Sequence, residues 1–468
     1  MTLVPAPTAP STAQTVFCPM NFGAAGDGVT NDGPAIHACL VAARAWACPT
    51  VESRQFNIPV VDLAGRCYAT DIQIEVPGGQ GMVIQNGALK AGARFDASLY
   101  LLHIGSTADV AMADGFRNVN TTIRNLYFDA NHVGGCLLVE RFMRLCIDRC
   151  LFAHYGTVGL RATAAGSHEM FVTNCQFGEY WWGETNGVGY DHPDRFVGTG
   201  IEVDAPDNHF SNVVIQLSKI GMKVNAQANM FSQIHIWTGY VKDPTTVRGP
   251  TAALRYLSTG LWITRNASMC TFDQLYMDGC DVLWENPWKT SLTNSIFLNG
   301  YGDPNRAFIR FKPMIAGASA SGVVITGNTF QVQGGGSMKM IATDTSAGTF
   351  SAGQVTNCTI DGNSFTGVDD RKYTTVRATS TANATHTWTF DFSGLLAFGD
   401  AIQEVTLTSY CFGARTTLFR VANLSAAKVT VSSYDPLNPA NLEACNATVW
   451  LEVTTNQRDV AVPVTTLP

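Results

Sequence analysis

The sequence predicts an all-β fold, a right-handed parallel β-helix with three short strands per coil, followed by an antiparallel β-sandwich. Three observations predict it: a six-residue apolar pattern recurs through the middle of the chain, glycines follow the same spacing, and short β-branched segments dominate the C-terminal part. A repeat of this kind indicates stacked coils, each of which buries its apolar side chains against its neighbours.

The repeat consists of an apolar residue, a spacer, a small polar residue, two spacers and a large apolar residue. Its third positions are Asn125, Arg149, Asn174, Asn212, Gln233, Asp273, Asn294, Gly327 and Gly362. The interval from Asn212 to Gln233 is 21 residues, the length of one coil of three strands and three corners. A second marker is a glycine that precedes a strand of alternating apolar residues, as at Gly200, Gly221 and Gly260. The intervals between these glycines are longer in the same coils in which the intervals of the repeat are longer.

Composition excludes several classes of function. The 468 residues are 46% hydrophobic and 14% charged with a net charge of −7, so no basic field exists that would attract nucleic acid. Residues 1–16 lack the basic and apolar regions of a signal peptide, and no apolar run is long enough to insert into a membrane, so we expect a soluble protein. The thirteen cysteines are expected to be reduced, buried thiols, and neither a metal nor another cofactor is expected.

The N-terminal run Phe22–Asp32 is rich in turn residues, and Gly33 and Pro34 follow it. We predict a helix over residues 35–46, capped by Asn31 or Asp32 and carrying an apolar stripe of Ile36, Leu40, Val41 and Ala43. The run lacks the GK[ST] ending of a phosphate-binding loop, so a nucleotide site is disfavoured.

Residues 22–36 resemble the opening of pectin-lyase-like β-helix proteins, which include glycan-degrading enzymes and bacteriophage tailspike polysaccharide depolymerases. Residues 58–68 resemble the first strand and glycine turn of the same family. The resemblance covers roughly residues 17–370. It implies that the helix caps the open end of the β-helix, and that the protein binds and depolymerises a bacterial surface polysaccharide, a capsule or an O-antigen.

Three coils carry insertions, at residues 178–199, 237–259 and 298–307, and all three leave from the same corner. We expect them to project side by side and to hold a sugar chain, because loops on a rigid scaffold usually carry binding groups and aromatic rings stack on sugars. The predicted substrate-binding residues are Trp181, Trp182, Tyr190, His235, Trp237 and Tyr240. Glycoside hydrolysis needs two carboxyl groups, and the predicted catalytic candidates are Glu179, Glu184, Asp191, Asp243 and Asp278.

Each of these candidates also has an ordinary interpretation. Aromatic side chains pack loops onto a scaffold, loop carboxylates are commonly solvated, and His235 is an outward-pointing strand residue.

Two other functions remain open. A polysaccharide lyase needs a base and a group that neutralises the uronate, and the outward residues Arg161, Glu202, Lys223 and Trp262 on successive coils offer such groups. The same row reads equally as surface salt bridges. A receptor-binding spike without catalysis is the other alternative.

The expected domains are a flexible leader (1–16), an N-terminal cap (17–70), the β-helix (71–370) and a β-sandwich (371–468). Strands are predicted at residues 385–392, 402–412, 417–421, 428–433, 448–454 and 460–464. The resemblance to tailspikes implies that the last domain holds three chains together as a homotrimer. It also implies a place on the virion tail, with a tail or baseplate adaptor as a partner.

Overall fold

The computed structural model describes residues 16–46, 58–106, 115–163, 166–178, 198–237, 259–300, 302–397, 402, 404–411, 418–425, 427–435, 437–442 and 445–454. The chain divides into two compact units, Met1–Leu283 and Trp284–Pro468. Strand β21 (Asp281–Glu285) contains the boundary between them. No helix in the described part of the chain is long and apolar enough to cross a membrane.

The first unit is a parallel β-helix. Its described residues form a 3-10 turn at Pro19–Phe22, the helix α1 (Gly33–Ala45) and twenty strands. The strands are β1 (Val16–Phe17), β2 (Asp27–Asn31), β3 (Val60–Thr70), β4 (Ile74–Val76), β5 (Gly79–Ala91), β6 (Tyr100–Ile104), β7 (Asn118–Asp129), β8 (Gly135–Val139), β9 (Phe142–Asp148), β10 (Leu151–Ala153), β11 (Val158–Ala162), β12 (His168–Thr173), β13 (Gln176–Phe177), β14 (Thr199–Val203), β15 (His209–Gln216), β16 (Ile220–Val224), β17 (Met230–Trp237), β18 (Thr259–Ile263), β19 (Thr271–Asp273) and β20 (Tyr276–Asp278).

Two parallel sheets build this unit. Strands β4, β6, β8, β11, β14, β16 and β18 pair in chain order as sheet B, and the other strands of the unit belong to sheet A. One coil runs through β11, β12 and β13 before β14 returns to sheet B, which confirms three short strands per coil. Connections between parallel strands of one sheet are almost always right-handed, and the fold is the right-handed parallel β-helix that the repeat predicts.

The predicted repeat positions are the corners within sheet A. Asn125, Asn174 and Asn212 adopt left-handed φ angles of 52°, 56° and 52°, which asparagine tolerates better than most residues. One position was wrong by a residue. Phe231 pairs in register with Phe272, and Gln274, not Asp273, has the left-handed φ of 55°. The sequence pattern missed this because Thr271 stands where an inward apolar residue was assumed.

The core consists of side-chain ladders through successive coils. Phe128, Phe152 and Phe177 stack with ring centroids 4.8 and 4.4 Å apart, and all three are fully buried. Gly221 lies where the two sheets approach closely, because an added Cβ would meet the carbonyl oxygen of Gly260 at 2.5 Å and Ile236 Cγ2 at 2.6 Å. The glycine register of the sequence is therefore a packing requirement of sheet B.

Helix α1 packs against the first strands of both sheets. Its buried face holds Ile36, Leu40 and Ala43 as predicted, but Val41 is 44% exposed, so its place in the apolar stripe was wrong. Asp32 is the N-cap residue, yet its carboxylate does not bond to the helix. It accepts hydrogen bonds from the backbone N–H groups of Ala25 (2.7 Å) and Gly26 (2.9 Å), and so holds the glycine-rich turn against the helix start.

The second unit begins with parallel coils of its own. Its coil strands are β22 (Ser291–Thr293), β23 (Ile296–Asn299), β24 (Ala307–Lys312), β25 (Ala318–Ser321), β26 (Val324–Thr326), β27 (Thr329–Val332), β28 (Met338–Thr343), β29 (Phe350–Thr356), β30 (Thr359–Asp361), β31 (Ser364–Thr366) and β32 (Val368–Asp370). Phe297 stacks on Phe330 at 4.7 Å, and β27 pairs parallel to β31.

Antiparallel strands follow. They are β33 (Thr375–Thr385), β34 (Thr387–Asp391), β35 (Glu404–Cys411), β36 (Leu418–Ser425), β37 (Lys428–Asp435), β38 (Asn438–Leu442) and β39 (Cys445–Thr454). Strands β33, β39 and β35 form one sheet and β34, β37 and β36 another, with β38 on β37. The two sheets share one buried core that includes Trp388, Val431 and Leu451, which confirms the sandwich. The sequence did not predict β33 or β38, and residues 460–464 lie outside the described part.

Candidate active site

Most of the predicted site residues lie outside the described residues. These are Glu179, Glu184, Asp191, Asp243, Trp181, Trp182, Tyr190 and Tyr240. The structure does describe the ends of the two long insertions in the first unit. One joins β13 to β14 and the other joins β17 to β18, so each leaves sheet A and enters sheet B. The surfaces on either side of this corner therefore define the candidate site.

On the sheet A side, strands β17 and β20 hold three residues from the predicted set, His235, Trp237 and Asp278. His235 points outward from β17 as predicted, and its ring stacks on Tyr276 with centroids 4.4 Å apart. Burial lowers the pKa of His235, and its Nε2 is buried without a hydrogen-bond partner among the described residues. Trp237 is in register with Asp278, and both side chains are half-buried.

Asp278 has an unusual environment for a carboxylate. Burial raises its pKa, and Trp237 is its register partner on the neighbouring strand. A carboxyl group held protonated toward neutral pH is suited to donate a proton to a leaving oxygen. Asp278 is the one member of the predicted catalytic set among the described residues, and the direction of its pKa shift is the one that a general acid requires.

On the sheet B side, the structure confirms the outward row noted in the sequence. Arg161 pairs in register with Glu202, Glu202 with Lys223, and Lys223 with Trp262. Asp204 follows β14 on the same side as Glu202. We call Arg161, Glu202, Asp204 and Lys223 the charged face.

Ion pairs connect the four groups of the charged face. Lys223 Nζ donates a hydrogen bond to Glu202 at 2.7 Å and lies 5.3 Å from the centre of the Trp262 ring. Arg161 lies against both acids, with Nε 3.9 Å from Glu202 and Nη2 3.8 Å from Asp204. Burial alone would lower the pKa of Arg161, but the charge of Glu202 and a hydrogen bond to Tyr100 raise it, so the guanidinium stays charged.

Asp204 is also held by amide and hydroxyl groups of the following coils. Asn225 Nδ2 donates to Asp204 at 3.0 Å, and Asn225 Oδ1 accepts from Thr264 Oγ1 at 2.6 Å and from Asn266 Nδ2 at 3.0 Å. The network fixes the Asp204 carboxylate relative to Arg161. Side chains of neighbouring strands thus hold both Glu202 and Asp204 in place before any substrate binds.

Glu202 and Asp204 are two residues apart on one side of a strand, so their Cα atoms are separated by about 6.6 Å. Glycoside hydrolases place their two carboxyl groups about 5–9.5 Å apart. The charged face thus offers two carboxylates on the same side of the chain, both in contact with Arg161, together with a second cation, Lys223. Among the described residues, no cluster of three or more His, Cys, Asp or Glu side chains could hold a metal ion.

The sequence pattern placed Glu202 in the outward row, as a possible lyase group or as part of a salt-bridge row, and did not identify Asp204. The signal was present as Glu-Val-Asp at residues 202–204, after the Gly200 marker. Alternation along a strand places both acids on the outward side. The long insertions contain more acids and aromatics and give a stronger sequence signal than this pair.

Comparison with known proteins shows one curated relative. The chain is 29% identical over 385 residues to polygalacturonase QRT3 of Arabidopsis thaliana, covering 81% of this chain and 72% of that protein. The protein is a parallel β-helix that is similar to this polygalacturonase. The similarity spans more of the chain than the N-terminal motif does, and no family model matches the sequence.

Solved structures with a similar course of the chain include an ORF18 protein of Geobacillus virus E2 (10% identity, 92% of this chain and 78% of that one, TM-score 0.48). Another is the tailspike gp49 of Pseudomonas phage LKA1 (13% identity, 94% and 100%, TM-score 0.42). The surface adhesin PfbA of Streptococcus pneumoniae also matches (11% identity, 76% and 82%, TM-score 0.42). The assignment of the fold depends on the strand pairing of this chain and not on these matches.

Proposed function

We propose that the protein is a glycoside hydrolase that cleaves a polysaccharide along the charged face of sheet B. The observation that carries the proposal is the rigid carboxylate pair of Glu202 and Asp204, bridged by Arg161. The 29% identity to a polygalacturonase supports a polysaccharide as the substrate. The described ends of the two long insertions, Thr199 and Thr259, begin the strands of sheet B that carry Glu202 and Trp262, which supports the predicted role of the insertions in binding sugars.

The two carboxyl groups divide the chemistry between them. One donates a proton to the leaving glycosidic oxygen, and the other acts as a base or nucleophile at the sugar carbon. Asp278, across the corner on sheet A, is the alternative acid because burial raises its pKa. Trp262 and the predicted aromatic residues of the insertions would hold sugar rings next to the pair.

The finer part of the proposal concerns the biological setting. The resemblance of residues 22–36 to tailspike openings supports a bacterial surface polysaccharide as substrate and a place on a phage tail. Two alternatives stay open. The Arg161 and Lys223 cations favour a lyase, and the ion pairing of the charged face favours a spike without catalysis.

One incubation separates these functions. With candidate capsular, O-antigen and polygalacturonate chains, we expect new reducing ends without ultraviolet absorbance of an unsaturated uronate. Reducing ends that appear together with that absorbance would identify a lyase. Binding of a chain without any new reducing ends would identify a receptor-binding protein.

We also expect the protein to be a homotrimer in solution. The motivation is the β-rich C-terminal domain and the length of the β-helix flanks, which closed three-fold assembly would bury. Multi-angle light scattering at micromolar concentration should give three times 50.3 kDa. A mass of one chain would contradict the assembly without affecting the proposed chemistry.

A further inference from the structure

A second group of titratable residues lies on sheet B, several strands before the charged face. His103 on β6 is in register with Glu75 on β4 and with Leu138 on β8, and its side chain is only 8% exposed. Its Nδ1 lies 2.7 Å from Glu75 Oε2, and its Nε2 lies 3.2 Å from Glu140 Oε1. Both ring nitrogens therefore face a carboxylate, and Nδ1 also lies 3.3 Å from the side-chain amide nitrogen of Gln73.

The two carboxylates belong to different coils and are themselves held. Glu140 follows β8, and its backbone N–H donates to Ile104 O at 2.9 Å. Its carboxylate accepts from Arg141 Nη1 at 3.1 Å and from Thr163 Oγ1 at 3.4 Å. The imidazole therefore lies between acids from the strands on both sides of its own.

Glu75 connects the same group to the N-terminal cap. Its carboxylate accepts from Gln73 Nε2 at 2.8 Å, and its backbone oxygen is 3.0 Å from Nδ1 of His37 on α1. The charged groups that face His103 are thus Glu75 and Glu140, with Arg141 and His37 bound to those two residues.

We propose that His103 is a proton-dependent clamp that fastens the first three strands of sheet B and the capping helix. An imidazolium has two N–H donors and can satisfy both carboxylates. A neutral imidazole has one donor and presents a lone pair to the other acid. After loss of the proton, one of the two ring nitrogens has no N–H, so either the Glu75 or the Glu140 carboxylate faces a lone pair and loses the attraction of a positively charged ring.

The direction of the pH effect follows from the surroundings. Burial would lower the pKa of His103, but Glu75 and then Glu140 raise it above the ordinary value of 6.5. Burial would raise the pKa of Glu75, yet His103 and Gln73 hold it below 4.5. The clamp is closed between these two pKa values. The stability that protonated His103 contributes is complete below pH 6.5. It is lost as the pH rises through the pKa of His103 in the folded protein.

Hydrogen exchange read by mass spectrometry tests the clamp in the full chain. Between pH 6.5 and the folded pKa, the equilibrium constant for opening residues 74–76, 100–104 and 135–139 should rise by about tenfold per pH unit, after correction for base-catalysed exchange. His103→Gln should abolish this rise. His386→Gln is the matched control, because His386 is exposed, and it should keep the wild-type profile.

A second variant keeps the inference testable if His103→Gln fails to fold. Glu140→Gln retains the side-chain shape and should shift the titration of the His103 ring, followed by NMR of 13C-labelled histidine, to lower pH. A His103 ring that titrates at or below pH 6.5 in the wild type would overturn the clamp. Identical exchange profiles for wild type and a folded His103→Gln variant would overturn it too. Neither result depends on whether the protein hydrolyses a polysaccharide.

Discussion

Glu202→Gln should reduce polysaccharide turnover by about 10² or more while leaving substrate binding within a few fold of the wild type. The amide keeps the shape and a hydrogen-bond acceptor for Lys223, but it can neither take up a proton nor act as a nucleophile. Asp204→Asn should have an effect of similar size, because each group acts only with the other. Release of reducing ends gives turnover, and calorimetry with the same oligosaccharide gives binding.

Two comparisons make this result specific. Asp369→Asn changes an exposed carboxylate on β32 and should leave turnover unchanged. Asp278→Asn tests the sheet A side of the corner. If Asp278→Asn abolishes turnover while Glu202→Gln and Asp204→Asn retain it, the charged face is structural and the reaction occurs at the corner from which the insertions leave.

Phe152→Ala should lower the stability of the first unit by about 3–5 kcal/mol. Phe152 is fully buried and lies between Phe128 and Phe177, with ring centroids 4.8 and 4.4 Å away. Its removal leaves a cavity in the centre of the ladder, and the rigid strands on either side cannot move together to fill it. Denaturant unfolding followed by circular dichroism should show an earlier transition.

Phe171→Ala is the control for this substitution. The substitution removes the same side chain from the outer side of β12, where Phe171 is 41% exposed and stacks on His209 at 5.2 Å. The expected loss is under about 1 kcal/mol. Equal shifts for the two variants would mean that the inward ladder does not dominate the stability of the coils.

The fold could be predicted because its determinants repeat along the chain. Inward residues such as Phe152 and Phe177, left-handed corner residues such as Asn174, and the sheet B glycines occur once per coil. A repeat specifies its neighbours by simple stacking, so local pattern and tertiary structure coincide. At Thr271 a polar residue stands at an assumed apolar position, and the register predicted from the sequence was wrong there by one residue. Strand pairing identified Gln274 as the corner.

The candidate site could be predicted only in part. The sequence identified the corner with the insertions, and the outward row of Arg161, Glu202 and Lys223. It could not show that Asp204 and Arg161 meet, because that contact depends on the side-chain directions of two different coils. The eight predicted residues within the insertions stay predictions, since they lie outside the described residues.

Sequence by itself determined the coil length, the inward ladders, the glycine register and the change to an antiparallel sandwich, since each follows from spacing and residue type. Tertiary structure decided which charged groups form sites. Glu75, His103 and Glu140 lie far apart in sequence, as do Arg161 and Glu202, and they come together because parallel strands stack about 4.8 Å apart in register. Ionic contacts depend on distances of a few ångströms between such side chains, and a sequence pattern does not contain those distances.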